Sequence, residues 1–408
     1  MDNGPPSTYA DVLAAAEEML RVTTEAISAD GWSTPALMAV RDSMDVLIEE
    51  GEAWKGPTAW FRGTALAAEV STDELPRACT IFDPRMTMAL ENPTVESVVQ
   101  MAVLLGTGCY RVVGNVDLRL RDPDAMLNYL DFSGWYNLKN LAIRPYSSDF
   151  AKVPDAFTVT IPPGLRVVTI NVAIPVALLD PSPTSHLEVL NLRYAPEIQL
   201  PPAPGMARLG VVSLSDVTIR DLEPFRSAQS LHTLTIRSAP RLNDIGALST
   251  LPLRSLEMTG LQLLKNLRPL SGNTRLTLLT LGDLPSLSSL DAFASHPAIA
   301  LLTLGRLPGV PEANIRTTVS SLPSLQGLTL NSLPHLKSLA LQSNLHTLTL
   351  IDMPGINNVG FQYVRNLTEL GNLLLFNTGV TDLAVLREMP ESLVVFMGGK
   401  RLDRKEYK

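Results

Sequence analysis

Two cysteines, Cys79 and Cys109, and five histidines, His186, His232, His296, His335 and His346, are the side chains in this 408-residue chain best suited to nucleophilic or metal chemistry. A thiolate nucleophile needs a neighbouring base or a positive setting to lower its pKa. Neither cysteine has a histidine close by in sequence, and the pair stands in no metal-ligand spacing. The histidines form no H-x-x-x-H or H-E-x-x-H arrangement, so zinc chemistry has no support. His232 and His346 occupy the same slot of a recurring phrase and read as surface residues. Gly398-Gly399-Lys400 is followed by Arg401 and lacks the upstream glycine of a phosphate-cradling loop, so it reads as an ordinary loop. The expectation is a non-enzymatic chain with no catalytic residue, no metal and no cofactor. An enzyme using Cys79 or Cys109 is the minor alternative.

Apolar residues make up 45% of the chain and charged ones 18%, enough for a sizeable core and too apolar for general disorder. The net charge of −8 argues against nucleic acid or an anionic membrane as partner. No stretch approaches the ~18 consecutive apolar residues of a membrane span. Two cysteines cannot make a disulfide framework, and the first twenty residues lack a basic leader and apolar run, so a cytoplasmic location is expected.

Charge is unevenly placed. Residues 1–110 carry 6 Lys/Arg and 17 Asp/Glu, which leaves 27 basic (33 less 6) and 24 acidic (41 less 17) for the rest. The first part reads as an acidic helical head, with helices expected over 7–29, 35–50, 58–70, 84–91 and 95–105. It is either an independent domain or a cap for the remainder of the chain.

That remainder is built on a phrase that returns. LTLLTLGDLPSLSSL at 276–290 has counterparts beginning at Leu231, Ile299, Leu325 and Leu345. Aligned on the frame L-x-x-L-x-L, the first anchors are Val113, Leu138, Leu165, Leu187, Leu209, Leu231, Leu253, Leu276, Ile299, Leu325, Leu345, Leu370 and Leu393. Their spacing runs from 20 to 27 residues and is steadiest, at 22–23, in the middle. Each phrase predicts a short strand whose fourth- and sixth-position anchors point into a stack, then a turn and a compact return. About six buried aliphatic chains per repeat, at ~1.5–3 kcal/mol each, can hold such a stack together. The unit over 311–324 is long enough for a true helix on the return side, and the tail KRLDRKEYK, 399–408 with the preceding glycine, reads as a charged, solvated end.

From Val113 to Phe396 the chain resembles leucine-rich repeat proteins, which implies an α/β solenoid: a curved parallel sheet with one strand per repeat, over 111–398. IRDLEPF, NDIGAL and VTDLAVL resemble repeat ends of bacterial internalin-like proteins. One departure stands out. Where that family places Asn, this chain has Ala239, Leu284, Leu307, Leu333 or Met353, each followed by Pro. Proline has no N–H to satisfy, so the turn is closed by removing a donor. This variant is similar to the C-terminal repeat regions of bacterial NLR-like (STAND) signalling proteins, although the G-x-x-x-x-G-K-[ST] loop of their nucleotide module is missing.

The outward strand positions are the candidate binding face, since the concave sheet of a solenoid is where partners usually sit. One column is mostly threonine and includes Glu257; the next begins with Arg119, Arg144, Arg193 and Arg237 and ends with Ile351 and Phe376. Leu278, Leu301 and Leu374 add apolar area. A partner-binding role and a solvated ladder are both open for these residues. Reversing Arg193 and Arg237 to Glu is expected to abolish partner capture without lowering the melting temperature. The expected function is a protein-binding scaffold, the sensor of an NLR-like defence or signalling system by resemblance. A secreted effector or adaptor with its activity in the head is the alternative.

Overall fold

The structure, a computed structural model, describes residues 58–60, 87–91, 115–120, 129–131, 138–145, 158–160, 164–171, 176–177, 186–194, 198–199, 206–339, 341 and 343–407. The chain divides into two units, Met1–Arg208 and Leu209–Lys408. The expected helices at 7–29, 35–50 and 95–105 lie outside the described residues, as do Cys79 and Cys109.

In the first unit the strands are β1 (Thr58–Trp60), β2 (Thr87–Glu91), β3 (Asn115–Leu120), β4 (Tyr129–Asp131), β5 (Asn140–Pro145), β6 (Thr158–Thr160), β7 (Val167–Ile170), β8 (Val176–Ala177), β9 (Val189–Arg193) and β10 (Ile198–Gln199). A parallel ladder runs β1-β2-β3-β5-β7-β9. Two short parallel pairs, β4–β6 and β8–β10, form separately. Strands β1 and β2 correct the expected helices where these cover 58–60 and 87–91; residues 61–70 and 84–86 lie outside the described residues. In β2, Met88 and Leu90 alternate with period two and register with Val116 and Leu118 of β3. That period belongs to a strand, and the ladder therefore extends upstream of residue 111.

The second unit holds β11 (Val211–Ser215), β12 (Thr233–Arg237), β13 (Ser255–Thr259), β14 (Leu278–Gly282), β15 (Leu301–Gly305), β16 (Gly327–Asn331), β17 (Thr347–Asn357), β18 (Asn372–Gly379), β19 (Val394–Met397) and β20 (Lys400–Leu402). From β11 to β19 each strand pairs in parallel with the next. The repeat frame sets the register. The fourth- and sixth-position anchors, such as Leu234 and Ile236 or Leu256 and Met258, are fully buried, and the residues between them face outward. In the repeat from Leu276, seven apolar side chains (Leu276, Leu279, Leu281, Leu284, Leu287, Leu290 and Phe293) are at most 2% exposed. The first anchors from Leu138 to Leu393 are likewise buried, while Val113 lies outside the described residues.

The same device stands two residues after each sixth-position anchor from Leu214 to Leu375. Asp216, Ser238, Gly260, Asp283, Arg306, Ser332, Asp352 and Asn377 all take positive φ, a conformation that Gly, Asn and Asp tolerate best. From Asp216 to Ser332 the amide of this residue donates to the carbonyl just after the sixth-position anchor of the next repeat, as from Ser238 to Thr259 at 2.9 Å and Asp283 to Gly305 at 3.0 Å. The apolar-Pro pair comes next. Ala239, Leu284, Leu307 and Leu333 are buried, and their carbonyls accept from residues 242, 287, 310 and 336 at 3.1–3.2 Å. Proline is thus the second residue of a β-turn, where its fixed φ is preset.

Within the second unit the return segment follows repeat length. The 22–23-residue repeats have room for a single 3-10 turn, at Glu223–Phe225, Gly246–Thr250, Arg268–Gly272, Asp291–Phe293 and Ala384–Glu388. Asp221, Asp244, Asn266, Ser289 and Asp382 start these turns, each side-chain oxygen accepting from the amide two residues on. The 26-residue repeat from Ile299 carries α1 (Glu312–Ser320), inside the expected 311–324, with Ile315, Thr318 and Val319 buried. The 25-residue repeat from Leu345 carries α2 (Asn358–Phe361) and a 3-10 continuation, Gln362–Asn366. Asn357 caps α2 through bonds to the Val359 and Gly360 amides, both 3.1 Å.

The end segment keeps its charged residues exposed, at Lys400, Arg401 and 403–406, and is also folded. After Gly398 and Gly399, both at positive φ, β20 turns back antiparallel on β19. Asp403 and Glu406 form a capping box, and Tyr407 is 3% exposed. Arg387 Nε donates to the Tyr407 carbonyl at 2.7 Å, and Arg404 Nη2 to the carbonyls of Arg387 and Met389 at 2.8 and 3.0 Å. Apolar burial and these bonds outweigh the charge of the segment. Among the described residues no helix is long and apolar enough to cross a membrane.

Candidate partner-binding face

Three outward columns of β11–β19 make the candidate face of the second unit. The first holds Val211, Thr233, Ser255, Leu278, Leu301, Gly327, Thr347, Asn372 and Val394. In the middle column Thr280, Thr303, Thr329 and Thr349 are register partners in turn, giving a ladder of four β-branched hydroxyls. In the third column Gly282 and Gly305 add no side chain, so the backbone is bare between Thr259 and Asn331.

Arg237 and Glu257 are the charged residues of these columns, and they meet. The guanidinium spans the carboxylate, Nε to Oε1 at 2.6 Å and Nη2 to Oε2 at 2.9 Å. Leu278 and Leu301 are register partners on adjacent strands, 36% and 49% exposed. Further along, Ile351 registers with Phe376, and Leu374 with Phe396. Phe376 is 53% exposed and Leu374 37%. The structure therefore gathers the expected apolar residues into two patches. Phe396 was not among the residues expected from sequence: counted from Leu393 the L-x-x-L-x-L frame puts it at the fourth, inward position, and only the register with Leu374 sets it in the middle column.

The arginines of the first unit are placed differently. Arg119 and Arg144 are register partners in β3 and β5. Arg193, the last residue of β9, lies with its guanidinium 4.5 Å from the centroid of the Tyr194 ring. At the other end of the same strands, Arg166 and Glu188 form a two-point bond at 3.0 and 2.7 Å. Hydrogen bonding from Arg166 holds the Glu188 carboxyl below its ordinary pKa, against a smaller opposing effect of desolvation. Two members of the basic column thus already have neighbours of their own: Arg193 stacks on an aromatic ring, and Arg237 is ion-paired.

A buried polar step has no counterpart in the sequence expectations. Asn273 and His296 are each 4% exposed in a column otherwise filled by Ala228, Leu322 and Leu367. Asn273 Nδ2 donates to the carbonyls of Leu248 and Leu251 at 3.1 and 2.6 Å. His296 Nε2 lies 3.0 Å from the Asn273 carbonyl, and its Nδ1 accepts from the Ala298 amide at 3.3 Å. Those two bonds assign the proton to Nε2. Burial lowers the pKa of His296, and the bond to Asn273 raises it by less. His296 is a core residue bridging repeats, whereas His186, His232 and His346 are exposed. On the return side a depression of about 700 Å³ is lined by Lys337, Ser338, Asn357, Tyr363 and Arg365, among others. Among the described residues no group of three His, Cys, Asp or Glu is placed to hold a metal ion.

No family model and no curated protein matches this chain. Among solved structures it is similar to an internalin of Listeria monocytogenes at 18% identity, over 80% of this chain and 88% of that one, with a TM-score of 0.53. A leucine-rich repeat protein of Leptospira interrogans aligns at 15% identity over 78% and 91% of the two chains, TM-score 0.41. TLR13 in its complex with ssRNA13 aligns at 16% identity over 76% of this chain and 49% of that one, TM-score 0.44. The first likeness shows the fold, a leucine-rich repeat array.

Proposed function

We propose that this chain is a non-enzymatic protein-binding scaffold that seats its partner on the outward strand face. The observation that carries this reading is the exposure of large apolar side chains there. Leu278, Leu301, Leu374 and Phe376 are 36–53% exposed on strands whose inward faces are saturated with leucine, so folding gains little from them. Contiguous exposed apolar area usually marks a partner site. The test is photocrosslinking in the cell of origin. A crosslinker at Thr303, in the centre of the face, is expected to trap a protein, and one at Arg268, on a return turn, is not. Equal adducts from both positions would remove the reading.

Within this proposal the chain is the sensor of a bacterial NLR-like defence or signalling system, cytoplasmic, and acting with a separate ATPase. Residues 111–398 are its repeat array, 399–408 its end segment, and 1–110 a head from which β1 and β2 join the ladder. The five apolar-Pro turns support this reading. A STAND ATPase or nuclease gene beside this one is the expected observation, and secretion-system genes in its place would favour an effector.

A further inference from the structure

We infer that the depression on the return side of the second unit is a second docking site, and that it takes an acidic linear peptide segment. The peptide's carboxylates meet Lys337 and Arg365, and an aromatic or aliphatic side chain beside them rests on Val359 and Tyr363. Repeat length makes the depression. The repeat from Leu325 reaches its next anchor in 20 residues, and its described return residues form no helix. Its neighbours take 26 and 25 residues and carry α1 and α2. The short return leaves an open trough of about 700 Å³, with Lys337 and Ser338 on one side and α2 with its 3-10 continuation on the other. That volume is in the range of binding clefts.

The lining is amphipathic. Val359 and Tyr363, four residues apart, are 78% and 48% exposed. Lys337 and Arg365 also line the trough, and no carboxylate does. Arg365 donates to neutral acceptors, the Gln362 carbonyl at 3.1 Å and Gln362 Oε1 at 2.6 Å, so its charge is not cancelled. Among the described residues neither cation is ion-paired. The Ser338 hydroxyl accepts from Arg316 Nη1 at 3.2 Å, which brings a third cation close and leaves the O–H for a ligand.

The nearby acids do not offset this charge. Between Leu307 and Leu345 the chain has one carboxylate, Glu312, and it accepts from the Lys337 and Ser338 amides at 3.0 and 3.2 Å. Between 353 and 392 there are four. Glu369 stands beside His346, and Asp382 accepts from the Ala384 amide at 2.8 Å. Glu388 and Glu391 belong to the next repeat, beyond α2 from Lys337. Unpaired positive charge beside exposed apolar surface is the combination that recognises acidic motifs. The Gly360 main chain, closed on the Lys337 carbonyl, and the two bonds to Glu312 fix the floor in advance.

A random linear peptide library displayed on phage tests this. It is first depleted on the double variant Lys337→Glu, Arg365→Glu and then selected on the full native chain at low salt. The enriched peptides are expected to carry Asp or Glu next to an aromatic or aliphatic residue. As synthetic peptides they should bind about tenfold more weakly, or worse, at high salt than at low salt, because screening shortens the reach of the charges. Tyr363→Ser should weaken them about tenfold, and Lys337→Arg should leave them bound. Phe376→Ser, on the strand face, should change nothing. No enrichment, neutral or basic peptides, binding indifferent to salt, or unchanged binding to Tyr363→Ser would each overturn the inference. Depletion removes peptides held by the strand face, so failure here leaves that reading to its own crosslinking test. Thermal melts of the variants confirm that each one folds.

Discussion

Arg237 reaches across one repeat to Glu257 with both arms of its guanidinium, at 2.6 and 2.9 Å, and so cancels the charge of the outward columns of β11–β19. The two residues are 20 positions apart in sequence and become neighbours because β12 and β13 register one repeat on.

This pair revises the expectation that Arg237 could be reversed without effect on the melt. Arg237→Glu sets two carboxylates against each other and is expected to lower stability by about 1 kcal/mol or less, the range for exposed pairs. The double reversal, Arg237→Glu with Glu257→Arg, should recover most of the loss. A double-mutant cycle in urea measures the coupling. No coupling would mean that the pair contributes nothing in solution.

His296 makes stability depend on pH in a definite direction. Burial lowers its folded pKa, so the fold favours the neutral ring and the unfolded chain takes up a proton near pH ~6.5. Its contribution is present above that pH and is lost as pH falls through the lower, folded pKa. Protonation would also set an N–H at Nδ1 against the Ala298 amide. Unfolding free energy measured from pH ~7 downward should fall less steeply for His296→Gln than for the native chain. Parallel slopes would assign the pH dependence elsewhere.

Residues 403–407 hold the last repeat closed. Tyr407→Ala removes a side chain that is 3% exposed and is expected to cost about 2–4 kcal/mol locally. Hydrogen exchange should show it first as lost protection in Val394–Met397 and Asn372–Gly379. Unchanged protection there would mean that the segment does not brace the repeat.

Two glycines should respond in opposite ways to alanine. A Cβ on Gly360 would lie 1.9 Å from the Lys337 carbonyl oxygen, against main chain that cannot easily give way. Gly360→Ala is expected to cost about 3 kcal/mol by overpacking. A Cβ on Gly305 would meet the Asn331 carbonyl oxygen at 3.4 Å and Asn331 Cβ at 3.5 Å, so Gly305→Ala should stay within about 0.5 kcal/mol. Denaturation midpoints of the two variants decide the comparison.

The sequence alone was enough to locate the core and the outward columns from Leu138 to Leu375; in the last repeat Val395 is buried where the frame from Leu393 calls for Phe396. Leucines at the first, fourth and sixth positions report a strand of period two, and each repeat meets its own kind in the stack, so local pattern and packing agree. The turn-starting Asp221, Asp244 and Asp382 were also legible, within phrases such as IRDLEPF. Tertiary structure alone decided the rest. The Arg237–Glu257 bond, the His296–Asn273 step and the closing of Tyr407 over the last repeat join residues roughly one repeat apart along the chain, with separations of 20 to 23 for the bonds named. Whether two such side chains meet depends on rotamers and burial, which a repeat frame does not specify. The strands at 58–60 and 87–91 were missed for the complementary reason. Three to five residues carry too little periodicity to outvote a helix, and the neighbouring strand is what makes them extended.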